Sequence, residues 1–150
     1  MLEIGHPAPD FTLETDQGFL TLSSLKEKKV VVYFYPKDMT SGCTQEACDF
    51  RDHYAQFQDK NTVIIGISKD NLKSHAKFKE KENLNFILAS DPEGKVCEAY
   101  GVWVEKSMYG RKYFGIERAT FLIDEKGIIQ NMWRNVKVPG HITDILKQIP

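Results

Sequence analysis

A chain of 150 residues has room for one compact domain with a sizeable core. Its hydrophobic share of 41% is ordinary for a globular protein, and 20 basic against 21 acidic residues leave a net charge of -1. That balance argues against nucleic acid or a membrane as a partner, and the longest apolar run, Val30 to Tyr35, is far too short to cross a bilayer.

The start, Met1-Leu2-Glu3-Ile4-Gly5-His6-Pro7, lacks a basic region followed by an apolar run, so the expectation is a signal-free, cytoplasmic chain. The cysteine count is 3, and an odd number does not suit a secreted disulfide scaffold. In a reducing compartment cysteines are either buried apolar residues or chemical tools.

In chain order, Phe11-Thr12-Leu13 and Phe19-Leu20-Thr21-Leu22 alternate apolar and polar around Asp16-Gln17-Gly18, which predicts a short hairpin. Ser23 to Lys26 reads as a capped turn. Val30-Val31-Val32-Tyr33-Phe34-Tyr35 is a continuous apolar run and predicts a strand buried on both faces, ended by Pro36. From Thr40 to about Phe57, apolar residues recur at helical spacing (Ala47, Phe50, Tyr54, Phe57). A second buried strand follows over Val63 to Ser68, then a helix from near Leu72 to Glu82 with Leu72, Ala76 and Phe78 as its apolar residues. Asn85 to Leu88 predicts a short strand, and Asp91-Pro92-Glu93-Gly94 a turn opening a short helix through Tyr100. Glu105 to Gly115 reads as an exposed loop. Ala119 to Asp124 and Ile128 to Trp133 flank Glu125-Lys126-Gly127 as a hairpin, and a last helix covers roughly His141 to Gln148.

Strands alternating with helices imply right-handed crossovers and a partly parallel sheet covered on both faces. The expected class is α/β: a thioredoxin-like fold with a central mixed sheet flanked by helices and an N-terminal β-hairpin. Residues 1–150 form a single domain in this reading, with no repeat and no linker.

The chemistry-bearing stretch runs from Tyr33 to Cys48, from the carboxyl end of a buried strand into a helix, where ligands bind in open α/β sheets. Cys43 falls in the first helical turn. Free N–H groups and the positive end of the helix dipole favour a thiolate there, and the thiolate is the nucleophilic form. Thr40 is placed to cap the helix, and its hydroxyl to donate to a thiolate. Gly42 allows close approach to the backbone, and Gly42 and Pro36 are the residues expected to line the substrate's place.

Cys48 lies five residues on. In an ideal helix the two Cα atoms stand about 8–9 Å apart, from a rise of about 1.5 Å per residue on a cylinder of about 2.3 Å radius. A disulfide needs roughly 4.4–6.8 Å. The pair therefore bonds only if the first turns unwind. On the residues alone, a chance pair of buried cysteines is as good a reading. Metal binding is not expected, since the spacing exceeds that of common zinc knuckles and no second ligand pair follows. His53 continues the spacing but reads as an exposed helical residue.

Tyr33-Phe34-Tyr35-Pro36-Lys37-Asp38, then Thr40-x-Gly42-Cys43-Thr44-x-Glu46-Ala47-Cys48, then Phe50-Arg51-Asp52, resembles the peroxiredoxins of the Q type, the bacterioferritin comigratory protein subfamily. Gly5-x-x-Ala8-Pro9-Asp10-Phe11-x-Leu13, Asp91 to Val96, Ala99 to Trp103 and Arg118 to Asp124 extend the resemblance along nearly the whole chain. It implies that Cys43 is the peroxidatic cysteine and Cys48 the resolving one. It also implies that Thr40 and Arg118 hold the thiolate and the peroxide, while Glu46 orients Arg118. It further implies a Cys43 sulfenic acid, a Cys43–Cys48 disulfide, and reduction by thioredoxin or a similar dithiol, with no metal or other cofactor. A resolving cysteine on the same chain makes a monomer the expected state. The physics agrees only if solvent reaches the Cys43 sulfur and the guanidinium stands beside it.

One position departs from the family pattern. Ser41 stands where the family usually has proline, and serine is expected to loosen the turn into the helix. Cys97 reads as a structural, partly buried thiol. Trp103, Met108 and Tyr109 are candidates for a pocket rim. His6, His53, His75 and His141 show no ligand-like clustering, and Lys73, Lys77, Lys79 and Lys81 read as a solvated helix face. Competing functions are a thiol–disulfide oxidoreductase, which usually carries the absent Cys-x-x-Cys, and a redox sensor signalling through the same cysteine pair.

Overall fold

Residues 2–150 are described by a computed structural model. The chain opens with strands β1 (Thr12–Thr15) and β2 (Gly18–Thr21) and a 3-10 turn over Leu22–Leu25. Then come β3 (Lys29–Phe34), helices α1 (Ser41–Asp52) and α2 (Tyr54–Asp59), β4 (Thr62–Ser68), α3 (Leu72–Glu82) and β5 (Ile87–Ser90). The last part holds α4 (Lys95–Ala99), β6 (Trp103–Met108), β7 (Arg111–Ile116), β8 (Ala119–Ile123), β9 (Ile129–Trp133) and α5 (His141–Gln148).

Among the described residues one sheet has 7 strands in the order β2-β1-β5-β4-β3-β8-β9. Strands β3, β4 and β5 run parallel, and every other pairing is antiparallel. The sheet is mixed, as expected, and the N-terminal hairpin forms one edge.

Alternation along β3 divides the core. Val30, Val32 and Phe34 point to one face with Phe121, Cys97 and Tyr100, so α4 covers that side. Val31, Tyr33 and Tyr35 point to the other with Ala47, Phe50, Phe57, Phe78 and Ile145, so α1, α2, α3 and α5 cover it. The apolar run of β3 is thus explained by burial on both faces, and Val31, Val32 and Phe34 are each 0% exposed.

Two expectations need correction. The helix predicted from Thr40 to Phe57 is broken at His53, whose backbone leaves helical geometry (φ -105°, ψ 7°). The His53 ring nitrogen Nδ1 pairs with the Asp49 carbonyl at 2.8 Å, beside the His53 amide, which keeps its own bond to that carbonyl at 3.2 Å. The apolar spacing continues across the break because α2 still buries Phe57.

Second, the loop expected over Glu105 to Gly115 is the hairpin β6–β7, paired from Trp103↔Ile116 to Met108↔Arg111. Its turn places Tyr109 at φ 52° and Gly110 at φ 78°. Its side chains are largely exposed, so no burial pattern marked it in the sequence. In α3, Ala76 is exposed and His75 takes the buried position beside Phe78.

Candidate active site

The segment from β3 into α1 is held from below by a buried polar network. Asp38 is 5% exposed and His75 1%. Tyr35 donates its hydroxyl to Asp38 Oδ1 at 2.6 Å, Ser74 donates to Oδ2 at 2.8 Å, and His75 Nδ1 meets the same Oδ2 at 2.7 Å. His75 Nε2 stands 3.0 Å from the Ala89 carbonyl, which only accepts. The Asp38 amide donates to Asp70 Oδ2 at 2.8 Å, and Ser68 donates to that oxygen at 2.7 Å. Burial works against the Asp38 carboxylate, but hydrogen bonds from His75, Tyr35 and Ser74 outweigh it and hold it below its usual range.

His75 is therefore clustered after all, contrary to the expectation from sequence. Asp38, Asp70 and His75 bring their polar atoms within 4.8 Å of one another, but each is engaged by protein partners. The network ties the 36–40 loop to α3, β4 and β5. Above it, Met39 takes a left-handed backbone (φ 66°), and Thr40 starts the helix, its carbonyl accepting from the Thr44 amide at 2.8 Å.

Helix α1 begins at Ser41 without the family proline, since the N–H that proline would remove has no partner in a first turn anyway. Cys43 is its third residue. Arg118, between β7 and β8, lies over this turn. Its Nη2 donates to Cys43 Sγ at 3.4 Å and its Nη1 to Glu46 Oε1 at 2.7 Å. One guanidinium thus bridges the sulfur and the carboxylate. Burial works against the Arg118 charge, but Glu46 and Cys43 more than offset it and hold the group firmly protonated.

Gly42 explains how close the arginine comes. A Cβ at that position would stand 3.2 Å from Arg118 Nη2. The space expected for a ligand is occupied by the guanidinium.

Glu46 is 0% exposed, and its Oε2 has no hydrogen-bond partner. Burial pushes its carboxyl up from about 4.5 to about 7, against the pull of Arg118. A folded-state value above the unfolded one means that protonated Glu46 stabilises the fold, and that this contribution fades as pH rises from about 4.5 through about 7. A protonated-carboxyl stretch is expected in infrared difference spectra at acid pH, lost on titration through about 7 and absent in Glu46→Gln. A Glu46 carboxylate fully ionised at pH 5 would contradict this.

Three expectations fare differently. The Thr40 hydroxyl donates to the Lys37 carbonyl at 2.8 Å and caps no amide, so it is committed to the loop rather than to Cys43. Pro36 is exposed where β3 ends. Cys43 is buried at 2% exposed, contrary to the solvent-reached sulfur expected: it belongs to one buried cluster with Ala47, Phe50 and Tyr35, and Arg118 lies against it.

Cys48, also on α1, is half-buried, and its Sγ donates to Glu82 Oε1 at 3.6 Å. Both cysteines are free and the helix between them is intact. Cys97 is 0% exposed and packs on the opposite face of the sheet from Cys43; burial and Asp91 push its thiol far above the usual range. It is more deeply buried than sequence suggested.

Of the suggested rim residues, Trp103 lies under the Lys69 ammonium at 4.2 Å, while Met108 and Tyr109 are exposed at the hairpin tip. Sequence reading missed Lys106 of β6. It is half-buried, and burial and the Arg118 charge pull its ammonium below the usual lysine range while Cys43 pulls it back. His141 is buried with Nε2 2.7 Å from Thr120 Oγ1, and burial pushes it down to about 4.

Residues 4–132 match the AhpC/TSA family model. The chain belongs to the AhpC/TSA family. A putative peroxiredoxin Bcp of Coxiella burnetii is 54% identical over 149 residues, covering 99% of each chain. Peroxiredoxin Bcp of Bacillus subtilis is 51% identical over 149 residues, covering 99% of this chain and 95% of that one. Among solved structures, the Xanthomonas campestris bacterioferritin comigratory protein, described for its alkyl peroxide reduction activity, superposes with a TM-score of 0.88 at 39% identity. That match covers 93% of this chain and 89% of the other.

The fold is the thioredoxin fold of the peroxiredoxins, and the enzyme class is that of a thiol-dependent peroxidase. No helix among the described residues is long and apolar enough to cross a membrane.

Proposed function

We propose that one domain spanning residues 1–150 reduces hydrogen peroxide and organic hydroperoxides at Cys43, resolves the product with Cys48, and is recycled as a monomer by thioredoxin or a similar dithiol in the cytoplasm. The observation that carries the reading is the Arg118 guanidinium, 3.4 Å from the Cys43 sulfur and 2.7 Å from Glu46.

In the first step the Cys43 thiolate attacks one peroxide oxygen and the O–O bond breaks. Sulfur loses two electrons and becomes a sulfenic acid, while the departing oxygen takes a proton and leaves as water or an alcohol. A guanidinium beside the sulfur is placed to stabilise charge on that departing oxygen, and Glu46 keeps it aimed. The Thr40 carbonyl and the helix amides hold the turn in shape, with Gly42 leaving room for Arg118. Pro36 ends the strand that supports the loop. No metal or other cofactor enters these steps.

In the second step Cys48 attacks the sulfenic sulfur, a disulfide forms and water leaves. Ideal helix geometry puts the two Cα atoms about 8–9 Å apart, so the start of α1 unwinds for this step.

The burial of Cys43 disfavours the rival in which its sulfur exchanges directly with a folded protein's disulfide. A residue 2% exposed is closed to a large partner, and peroxide reaches its sulfur only as Arg118 or the start of α1 shifts aside. The relatives' peroxiredoxin names and the alkyl peroxide reduction described for the Xanthomonas protein support the substrate class. The test couples NADPH oxidation to thioredoxin reductase, thioredoxin and peroxide. Sustained turnover with hydrogen peroxide and with an alkyl hydroperoxide is expected. Oxidation that stops after one equivalent would point to a redox sensor, and insulin reduction without peroxide consumption to a thiol–disulfide oxidoreductase.

A further inference from the structure

The second half of α1 is fastened to the end of α3. The Cys48 thiol donates to Glu82 Oε1 at 3.6 Å. Arg51 Nη1 donates to the Glu82 backbone carbonyl at 2.6 Å, and Asn85 Nδ2 to the Arg51 carbonyl at 3.3 Å. Glu82 is the last residue of α3, held there by the left-handed Asn83 (φ 52°), so it presents both acceptors from a fixed helix end.

We propose that Glu82 is a positioning residue for the second step: its carboxylate latches the Cys48 thiol to α3 and so sets how fast the Cys43–Cys48 disulfide closes. The proposal rests on the reading of Cys48 as the resolving cysteine. As the start of α1 unwinds and carries Cys43 toward it, the Cys48 sulfur must give up the hydrogen it donates to Glu82 before it can bond, so the latch opens in that step.

The same carboxylate disfavours the reactive form of Cys48. Burial raises the Cys48 thiol above its usual range, Arg51 opposes this, and Glu82 and Asp52 add to it. The reaction that follows release is balanced without an outside reagent. The Cys48 sulfur bonds to the Cys43 sulfur, the S–OH bond breaks, and the Cys48 proton ends on the departing hydroxyl as water. While the latch holds, a second peroxide has time to oxidise the sulfenic acid to a sulfinic acid, which the disulfide route avoids. Glu82 thereby tunes the balance between recycling and irreversible oxidation.

The test follows disulfide closure in the full-length protein after a pulse of hydrogen peroxide, by stopped-flow tryptophan fluorescence. Mass spectrometry of the 41–52 segment reports disulfide against sulfinic acid. In Glu82→Ala the closure rate is expected to rise about fivefold, the change one hydrogen bond of ordinary net strength makes. The sulfinic fraction at high peroxide falls with it. The midpoint of the closure rate against pH also moves down, as the carboxylate's hold on the thiol proton is lost. Glu82→Gln keeps the shape and one acceptor without the charge, guards against misfolding of the alanine variant, and moves the same midpoint in the same direction. Unchanged closure rate and midpoint in either folded variant overturn the latch alone. Absence of any Cys43–Cys48 disulfide in the wild type overturns the resolving role of Cys48, and the latch with it.

Discussion

Cys43→Ser is expected to abolish peroxide consumption, a loss of at least about 10⁴-fold toward solvent background. Neither of the other two cysteines can take over. Cys97 sits on the far side of the sheet at 0% exposure, and its burial keeps it a thiol. Cys48 is held by Glu82 and also pushed toward the thiol form by burial. A serine hydroxyl beside Arg118 does not ionise at neutral pH and forms no stable analogue of the sulfenic acid. The fold should be unaffected, because the sulfur's place in its buried cluster is filled by a slightly smaller atom. Rapid-mixing measurement of peroxide loss, with circular dichroism to check folding, decides the matter. Appreciable consumption by a folded Cys43→Ser protein would remove Cys43 from the mechanism.

Arg118→Ala is expected to slow the first step by about 10²–10³-fold, the range for losing one preorganised donor aimed at developing charge. Such a substitution usually threatens the fold by stranding a buried charge. Here the buried partner has an escape. Glu46 already titrates at about 7 with Arg118 present, and removing a group that lowers that value drives it higher. At neutral pH Glu46 then becomes a neutral acid and the cost of its burial is relieved. Loss of rate without loss of fold is the expected signature. Arg118→Lys should recover only part of the rate, since one ammonium cannot imitate the fork that meets Glu46 at 2.7 Å and Cys43 at 3.4 Å. The check is the second-order rate constant for peroxide, determined before any reductant acts. An Arg118→Ala protein that keeps its wild-type constant would show that the guanidinium only props up the helix.

The apolar run of β3 and the helical spacing through Ala47 and Phe50 made the main framework legible, because those patterns are consequences of burial on both faces of one sheet. The joining of Cys43, Glu46 and Arg118 was legible only through family resemblance. Arg118 and Cys43 are 75 residues apart in sequence and are brought together by the antiparallel pairing of β3 with β8. Periodicity does not report such pairings.

What escaped the sequence shares a cause. The β6–β7 hairpin buries little, so it leaves no hydrophobic signature. His75 looked like one polar residue on a helix, and its partner Asp38 lies 37 residues away. The break at His53 is a change of backbone dihedrals at one residue, which apolar spacing cannot register because Phe57 stays buried beyond it. The deep placement of Cys43 follows from Arg118 closing over Gly42, a packing event with no local sequence sign beyond the glycine itself.

The most direct test treats the fully reduced protein with one equivalent of hydrogen peroxide and maps every cysteine by peptide mass spectrometry, in wild type and in Cys48→Ser. The wild type should yield a Cys43–Cys48 disulfide with Cys97 still a free thiol. Cys48→Ser should carry one added oxygen on Cys43, trapped by a sulfenic-acid reagent. Oxygen found first on Cys48 or Cys97, or a disulfide joining any other pair, would contradict the assignment of Cys43 as the sulfur that meets peroxide.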